Sequence, residues 1–162
     1  MAQKIVPNLW FDGNAEEAAD FYVSVFTDSR ITATTRYPEG APGPAGTVMT
    51  VSWELNGQKF TGINGGPEFQ FDEAISFQID CEDQAEVDYY WDALTADGGA
   101  ESQCGWCKDK FGVSWQVVPK GMDEFFTDND PERVGRAMHA MLGMKKLDVA
   151  AMQAAADGQP VG

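Results

Sequence analysis

The chain repeats itself, and that repeat constrains its fold more than any other feature. Leu9-Trp10-Phe11-Asp12 is followed by Asn14, Glu17, Ala18, Phe21, Tyr22 and Val25, and Phe77-Gln78-Ile79-Asp80 by Asp83, Glu86, Val87, Tyr90, Trp91 and Leu94. The offset is 68 in the strand and 69 in the helix, a difference that one inserted loop residue explains. Each copy reads as a strand leading into a helix. Ile5, Leu9 and Phe11 are strand-like, as are Ile75, Phe77 and Ile79. Asn14 with Glu17, and Asp83 with Glu86, fit an N-cap with an acid three residues on. Ala15, Ala18, Ala19, Tyr22, Val25 and Phe26 recur at helical spacing, as do Val87, Tyr90, Trp91 and Leu94. Duplication explains shared strand, cap and spacing better than chance.

Strand candidates follow each helix. In the first copy they are residues 30–37, 46–55 and 58–63, with the loop Pro38-Glu39-Gly40-Ala41-Pro42-Gly43-Pro44 after the first and an Asn56-Gly57 hairpin turn before the last. The second copy offers residues 100–104, a piece around 106–108, and 113–118, with the turn Asp109-Lys110-Phe111-Gly112 before the last strand. The expected fold is therefore α+β, with two βαβββ modules forming an open, cupped mixed sheet. A helix covers only one face of a sheet, so the two modules are expected to cover each other's bare faces and leave a concave cleft. From Asp123 the repeat gives way to a helical tail. Asp130-Pro131 supplies a cap and a proline at the first helical position, and Val134, Ala137, Met138, Met141 and Leu142 form an apolar stripe. Leu147, Asp148 and Met152 fit the start of a short last helix that stops near Gly158. The expected boundaries are 1–67, 68–120 and 121–162, within one compact unit.

Charge and composition narrow the partners. Eleven Lys and Arg oppose 26 Asp and Glu, a net charge of −15. Such a surface repels phosphate backbones and anionic lipid, so neither nucleic acid nor membrane is expected as a partner. The single histidine, His139, excludes two-histidine metal sites and leaves serines and threonines without a base for a hydrolytic triad. No apolar run reaches the roughly 20 residues of a membrane span. Met1-Ala2-Gln3-Lys4 carries no signal-peptide pattern, and three cysteines make a poor disulfide framework. A cytoplasmic location is the expectation.

Specific motifs resemble a known family. Pro7-Asn8-Leu9-Trp10-Phe11-Asp12-Gly13-Asn14-Ala15-Glu16-Glu17-Ala18, with Phe21-Tyr22, is similar to the opening of PhnB-like proteins of the vicinal oxygen chelate superfamily. That superfamily includes glyoxalases, extradiol dioxygenases and bleomycin-resistance proteins. Asn64-Gly65-Gly66-Pro67, Ile75-Ser76-Phe77, Cys104-Gly105-Trp106 and the run from Lys108 to Gln116 match as well, as does the tail segment from Met141 to Asp148. Many such relatives carry the name 3-demethylubiquinone-9 3-methyltransferase, yet this sequence has no strand-and-glycine-loop unit such as G-x-G-x-x-G. The resemblance implies a homodimer. It also implies ligands for a divalent metal on the first and last strands of each module. The superfamily's histidine in the second module would fall at or beside Ala74 and its glutamate at Gln116, while the first module offers Val6 or Asn8, and Thr61. Neutral amides and hydroxyls do not compensate a divalent ion, so no metal and no cofactor are expected. Loosely held Mg²⁺ on acidic loop residues is a separate alternative.

Strand alternation turns Asn8 and Trp10 away from the helix in the first module, and Ser76 and Gln78 in the second. With Thr61, Trp106 and Gln116 they make an amide- and aromatic-lined candidate site suited to a small, flat or partly apolar molecule. The competing reading is that the tryptophans fill the sheet interface and Gln116 satisfies its neighbours. The leading expectation is a metal-free small-molecule binder. The alternatives are an enzyme of the superfamily, with lyase, isomerase or transferase chemistry, and a protein-interaction module using the tail or dimer surface. Cys104-Gly105-Trp106-Cys107 has redox spacing but leads into a turn and strand rather than the helix that activates such pairs. Zinc would need two further ligands, with only Cys81 and His139 remaining. Structural thiols are the expectation. Met138, Met141 and Met144 suit either a binding surface or the core, and His139 a solvated or packing role.

Overall fold

The structure, a computed structural model, describes residues 3–160; Met1 and Ala2, part of the stretch read for a leader, lie outside it. The chain divides into two compact units, Met1–Phe71 and Asp72–Gly162. No helix among the described residues is long and apolar enough to cross a membrane.

In the first unit β1 (Asn8–Phe11), α1 (Ala15–Val25), β2 (Ser29–Arg36), β3 (Val48–Leu55) and β4 (Gln58–Asn64) form a sheet of order β1-β4-β3-β2 with α1 on one face. The β1–β4 pair is parallel and the others antiparallel. Alternation explains the packing. Leu9 and Phe11 of β1, Val51, Trp53 and Leu55 of β3, and Phe60 of β4 are buried with Ala15, Ala18, Ala19, Tyr22 and Val25 of α1. Small alanines let the helix approach, and the Trp53 ring stacks between Tyr22 and Phe60 at centroid distances of 5.7 and 5.9 Å. Burying each of these larger side chains contributes roughly 1.5–3 kcal/mol. The Asn56-Gly57 turn closes β3 onto β4 with both residues at positive φ, 49° and 82°, as a two-residue hairpin of this hand requires. The strand start expected near Ile5 is found only at Asn8.

The cap of α1 differs from expectation. Asn14 occupies the N-cap position but its side chain makes no capping bond. The Asn64 Oδ1 at the end of β4 accepts from the Ala15 N–H instead, at 2.9 Å, while its Nδ2 donates to the Val48 carbonyl. A residue 49 positions away does the work that local spacing assigns to Asn14.

The second unit repeats the plan with β5 (Ser76–Cys81), α2 (Gln84–Thr95), β6 (Ala100–Glu101), β7 (Trp106–Lys108) and β8 (Ser114–Pro119), in the order β5-β8-β7-β6. Here the cap forms as read, with Asp83 accepting from the Glu86 N–H, while the Glu86 carboxylate accepts from the N–H of Glu82, one residue before the cap. The strand expected over residues 100–104 shortens to two residues, because Cys104 and Gly105 turn at positive φ and donate their N–H groups to the carbonyls of Met144 and Lys145.

That contact straps the tail to the second unit. The tail comprises α3 (Met122–Phe126), α4 (Pro131–Leu142) and α5 (Val149–Ala156). Asp130 and Asp148 cap α4 and α5 through the N–H groups of Glu132 and Ala151. Leu147 is buried with Met122 and Met152, and Met141 and Met144 pack against this cluster. Of the apolar stripe read on α4, Met138 and Leu142 are instead exposed.

Candidate functional site

In each unit the helix covers one sheet face, and the opposite face carries the side chains that alternation assigned to it. In the first unit the register sets Asn8 beside Thr61 and Thr61 beside Ser52, with the Ser52 and Thr61 hydroxyls 3.2 Å apart. Trp10 lies one row further, opposite Ile63. Its indole is already engaged, because Nε1 donates to the Gly66 carbonyl at 2.8 Å and Phe69 meets the ring edge-on at 4.9 Å. A Cβ on Gly65 would come within 2.2 Å of that ring, so only glycine lets the loop lie so close. Trp10 therefore offers a ring and no free donor. A groove of about 630 Å³ elsewhere in this unit runs past Asp12, Glu16, Arg36, Tyr37 and Asn64, and Asn8, Trp10 and Thr61 do not line it.

In the second unit one row runs Gln78–Gln116–Trp106 and the next Ser76–Ser114–Lys108. The Gln116 amide donates to Ser76 Oγ at 2.9 Å, and Gln78 donates to Asp80. Four of the expected site residues, Ser76, Gln78, Trp106 and Gln116, are thus neighbours on one sheet face.

Sequence reasoning missed Ser114. The 68-residue offset carries Asn8 onto Ser76, and the ladder partners of these two are Thr61 and Ser114. Thr61 takes the fourth ladder pair after its turn and Ser114 the first after its own, so counting four residues from the turn glycines Gly57 and Gly112 leads to Thr61 and Gln116 instead. Leu55 pairs with Gln58 across two residues, whereas Lys108 pairs with Ser114 across five. Ser114 is buried, and its hydroxyl has no hydrogen-bond partner. It lines a cavity of about 240 Å³ together with Trp106, Lys108, Glu73, Glu101 and Ser102.

Electrostatics around this cavity follow from its pairs. Lys108 forms an ion pair with Glu73, and that hydrogen bond holds the Glu73 carboxyl below its usual range. Glu101 is lowered chiefly by the bond from the Trp91 indole, with Lys145 adding to it. Cys107, on the helix side of β7, is pushed up to about 12 by burial and by the neighbouring Asp109 carboxylate. Cys81 is likewise raised to about 12, by burial first. Protonated, buried thiols suit a structural role.

The superfamily's metal does not fit these residues. Asn8, Thr61, Ser76, Ser114 and Gln116 are neutral oxygen and amide donors, and none supplies the charge or imidazole that a transition ion selects. Among the described residues no three His, Cys, Asp or Glu side chains gather into a metal-binding group.

Two four-stranded mixed sheets, each with a helix on one face, make an α+β fold of the glyoxalase/bleomycin-resistance type. Residues 3–118 match the family model described as 3-demethylubiquinone-9 3-methyltransferase, and the chain belongs to that PhnB-like family. It is similar to a PhnB protein from Bacillus cereus at 39% identity and a TM-score of 0.65, covering 72% of this chain and 99% of that one. A protein from Pseudomonas aeruginosa, PA1353, shares 22% identity at a TM-score of 0.59, over 73% of this chain and 98% of that one. A glyoxalase/bleomycin resistance protein from Albidiferax ferrireducens T118 shares 10% identity at a TM-score of 0.48, over 70% and 94%. No curated protein matches the chain. The family match ends at residue 118, before the helical tail begins at Met122.

Proposed function

We propose that this protein binds a small molecule through the helix-free faces of its sheets, and does so without a transition metal. The observation that carries the reading is the donor set on those faces. Asn8 and Thr61 in one unit, and Ser76, Gln78, Gln116 and Ser114 in the other, are neutral hydrogen-bonding groups set beside indole rings. Apolar walls with a few fixed polar groups recognise a small, partly flat ligand, and neutral donors orient it without a charge that would demand an ion. Trp10 acts as a wall, since its N–H is spent on Gly66, while Trp106 flanks the cavity that Ser114 lines.

The reading includes a homodimer and a cytoplasmic protein, and treats the methyltransferase in the family's description as an activity to be tested. A thermal-shift screen of small metabolites, with S-adenosylmethionine among them, tests it directly. A ligand that binds only the folded chain raises the melting temperature. The reading expects such a shift with at least one planar compound, and expects Gln116→Ala or Ser76→Ala to reduce it. A shift seen only with S-adenosylmethionine, together with a methylated product, would favour the transferase instead.

A further inference from the structure

We propose, resting on the small-molecule reading above, that the cavity of the second unit takes a small planar carboxylate. Its ring lies on Trp106 and its carboxylate binds Lys108 Nζ in the place now held by Glu73. Three observations converge on this assignment.

Ser114 is 1% exposed and its hydroxyl is unpartnered. A buried hydroxyl left unpaired is costly, and an oxygen entering the cavity beside it would accept its proton. Lys108 stands directly across the ladder from Ser114, so an ammonium and a hydroxyl donor share one edge of the cavity. An acceptor with two oxygens satisfies both.

That place already attracts a carboxylate. Lys108 is held by a strand paired on both sides, to Ala100 and to Ser114. Glu73 belongs to the segment before β5, and its side chain is 62% exposed. Of the two partners, Glu73 is the one that can swing into water at little cost, leaving Lys108 in position. A ligand anion then exchanges one charge-assisted bond for another. The cavity's other acid does not compete for Lys108, because Glu101 is committed to the Trp91 indole and to Lys145.

Size and charge limit the ligand further. A volume of about 240 Å³ lies below the range of drug-sized pockets and suits a single ring with one substituent. The net charge of −15 repels anions at long range, so a bare anion gains too little from Lys108 alone. The half-buried indole of Trp106 has to contribute stacking area.

Benzoate, benzamide and acetate separate these contributions in ligand-observed NMR on the full chain. Benzoate is expected to bind, with benzamide and acetate each at least about ten-fold weaker. Glu73→Gln removes the internal competitor at an exposed position and should tighten benzoate several-fold. Lys108→Met should cost about ten-fold or more, and Ser114→Ala should weaken binding by a smaller factor, with melting curves confirming that each variant is folded. Unchanged or weaker benzoate binding in Glu73→Gln would overturn the assignment, as would benzamide matching benzoate. So would the absence of benzoate binding at millimolar concentration. If neutral planar compounds bind and ignore Lys108→Met, the carboxylate assignment fails while the small-molecule reading stands. If no compound of any charge shifts the protein, both fail.

Discussion

At Asp109 the backbone N–H groups of Phe111 and Val113 and the indole N–H of Trp115 converge on one buried carboxylate, at 2.9, 3.1 and 2.8 Å. The acid folds the β7–β8 turn around itself and anchors a core tryptophan, in a unit whose other copy makes the same connection with a two-residue hairpin. Replacing it with an amide turns one acceptor into a donor facing donors. Asp109→Asn should cost about 2–4 kcal/mol in urea unfolding and shift the tryptophan emission. A loss within about 0.5 kcal/mol would show that the network is not structural. The same carboxylate helps keep Cys107 protonated. Its folded pKa, about 12, lies above the ordinary 9.0, so its stabilising contribution is full below pH 9 and drains away as pH climbs towards 12, where the unfolded chain ionises first. Between about pH 8 and pH 10, Cys107→Ala should therefore lose about 1 kcal/mol less urea stability than the parent. Equal pH dependence in the two proteins would contradict the burial argument.

The helices test how far local spacing reaches. Asn64, not Asn14, caps α1, so Asn64→Ala should cost about 1–2 kcal/mol of stability, while Asn14→Ala should cost under about 0.5 kcal/mol. The reverse ranking in denaturant melts would restore the local cap. The contrast also shows what a sequence carries. The βαβββ order, both repeat helices and the caps at Asp83, Asp130 and Asp148 were legible, because each depends on neighbours within a few residues. The α1 cap was not, because its partner comes from the far end of the sheet. Ser114 escaped for a related reason: it takes the first ladder pair after its turn where Thr61 takes the fourth, and no periodicity encodes that difference. That the candidate residues of the second unit share a sheet face was legible, since alternation needs only two-residue periodicity. The hydrogen bonds of the candidate residues were not: the engagement of Trp10 with Gly66 depends on a loop whose path no pattern shows.

On the scale of the whole molecule, the two modules share one strand order and set neutral groups on the first and last strands of each sheet. The positions where the superfamily resemblance implied metal ligands hold Val6 or Asn8, Thr61, Ala74 and Gln116 here, none of them charged. Around this domain the chain adds three helices beyond the family match, joined to the second unit by backbone bonds from Cys104 and Gly105 and by Gln84, which bonds Leu147 and Val149. Metal content is the most direct test of the claim that these faces recognise a ligand without an ion. Protein purified without chelator should carry far less than one divalent ion per chain by plasma mass spectrometry, and its ligand-induced thermal shift should survive EDTA. One tightly retained ion per chain, with the thermal shift abolished by EDTA, would contradict the account.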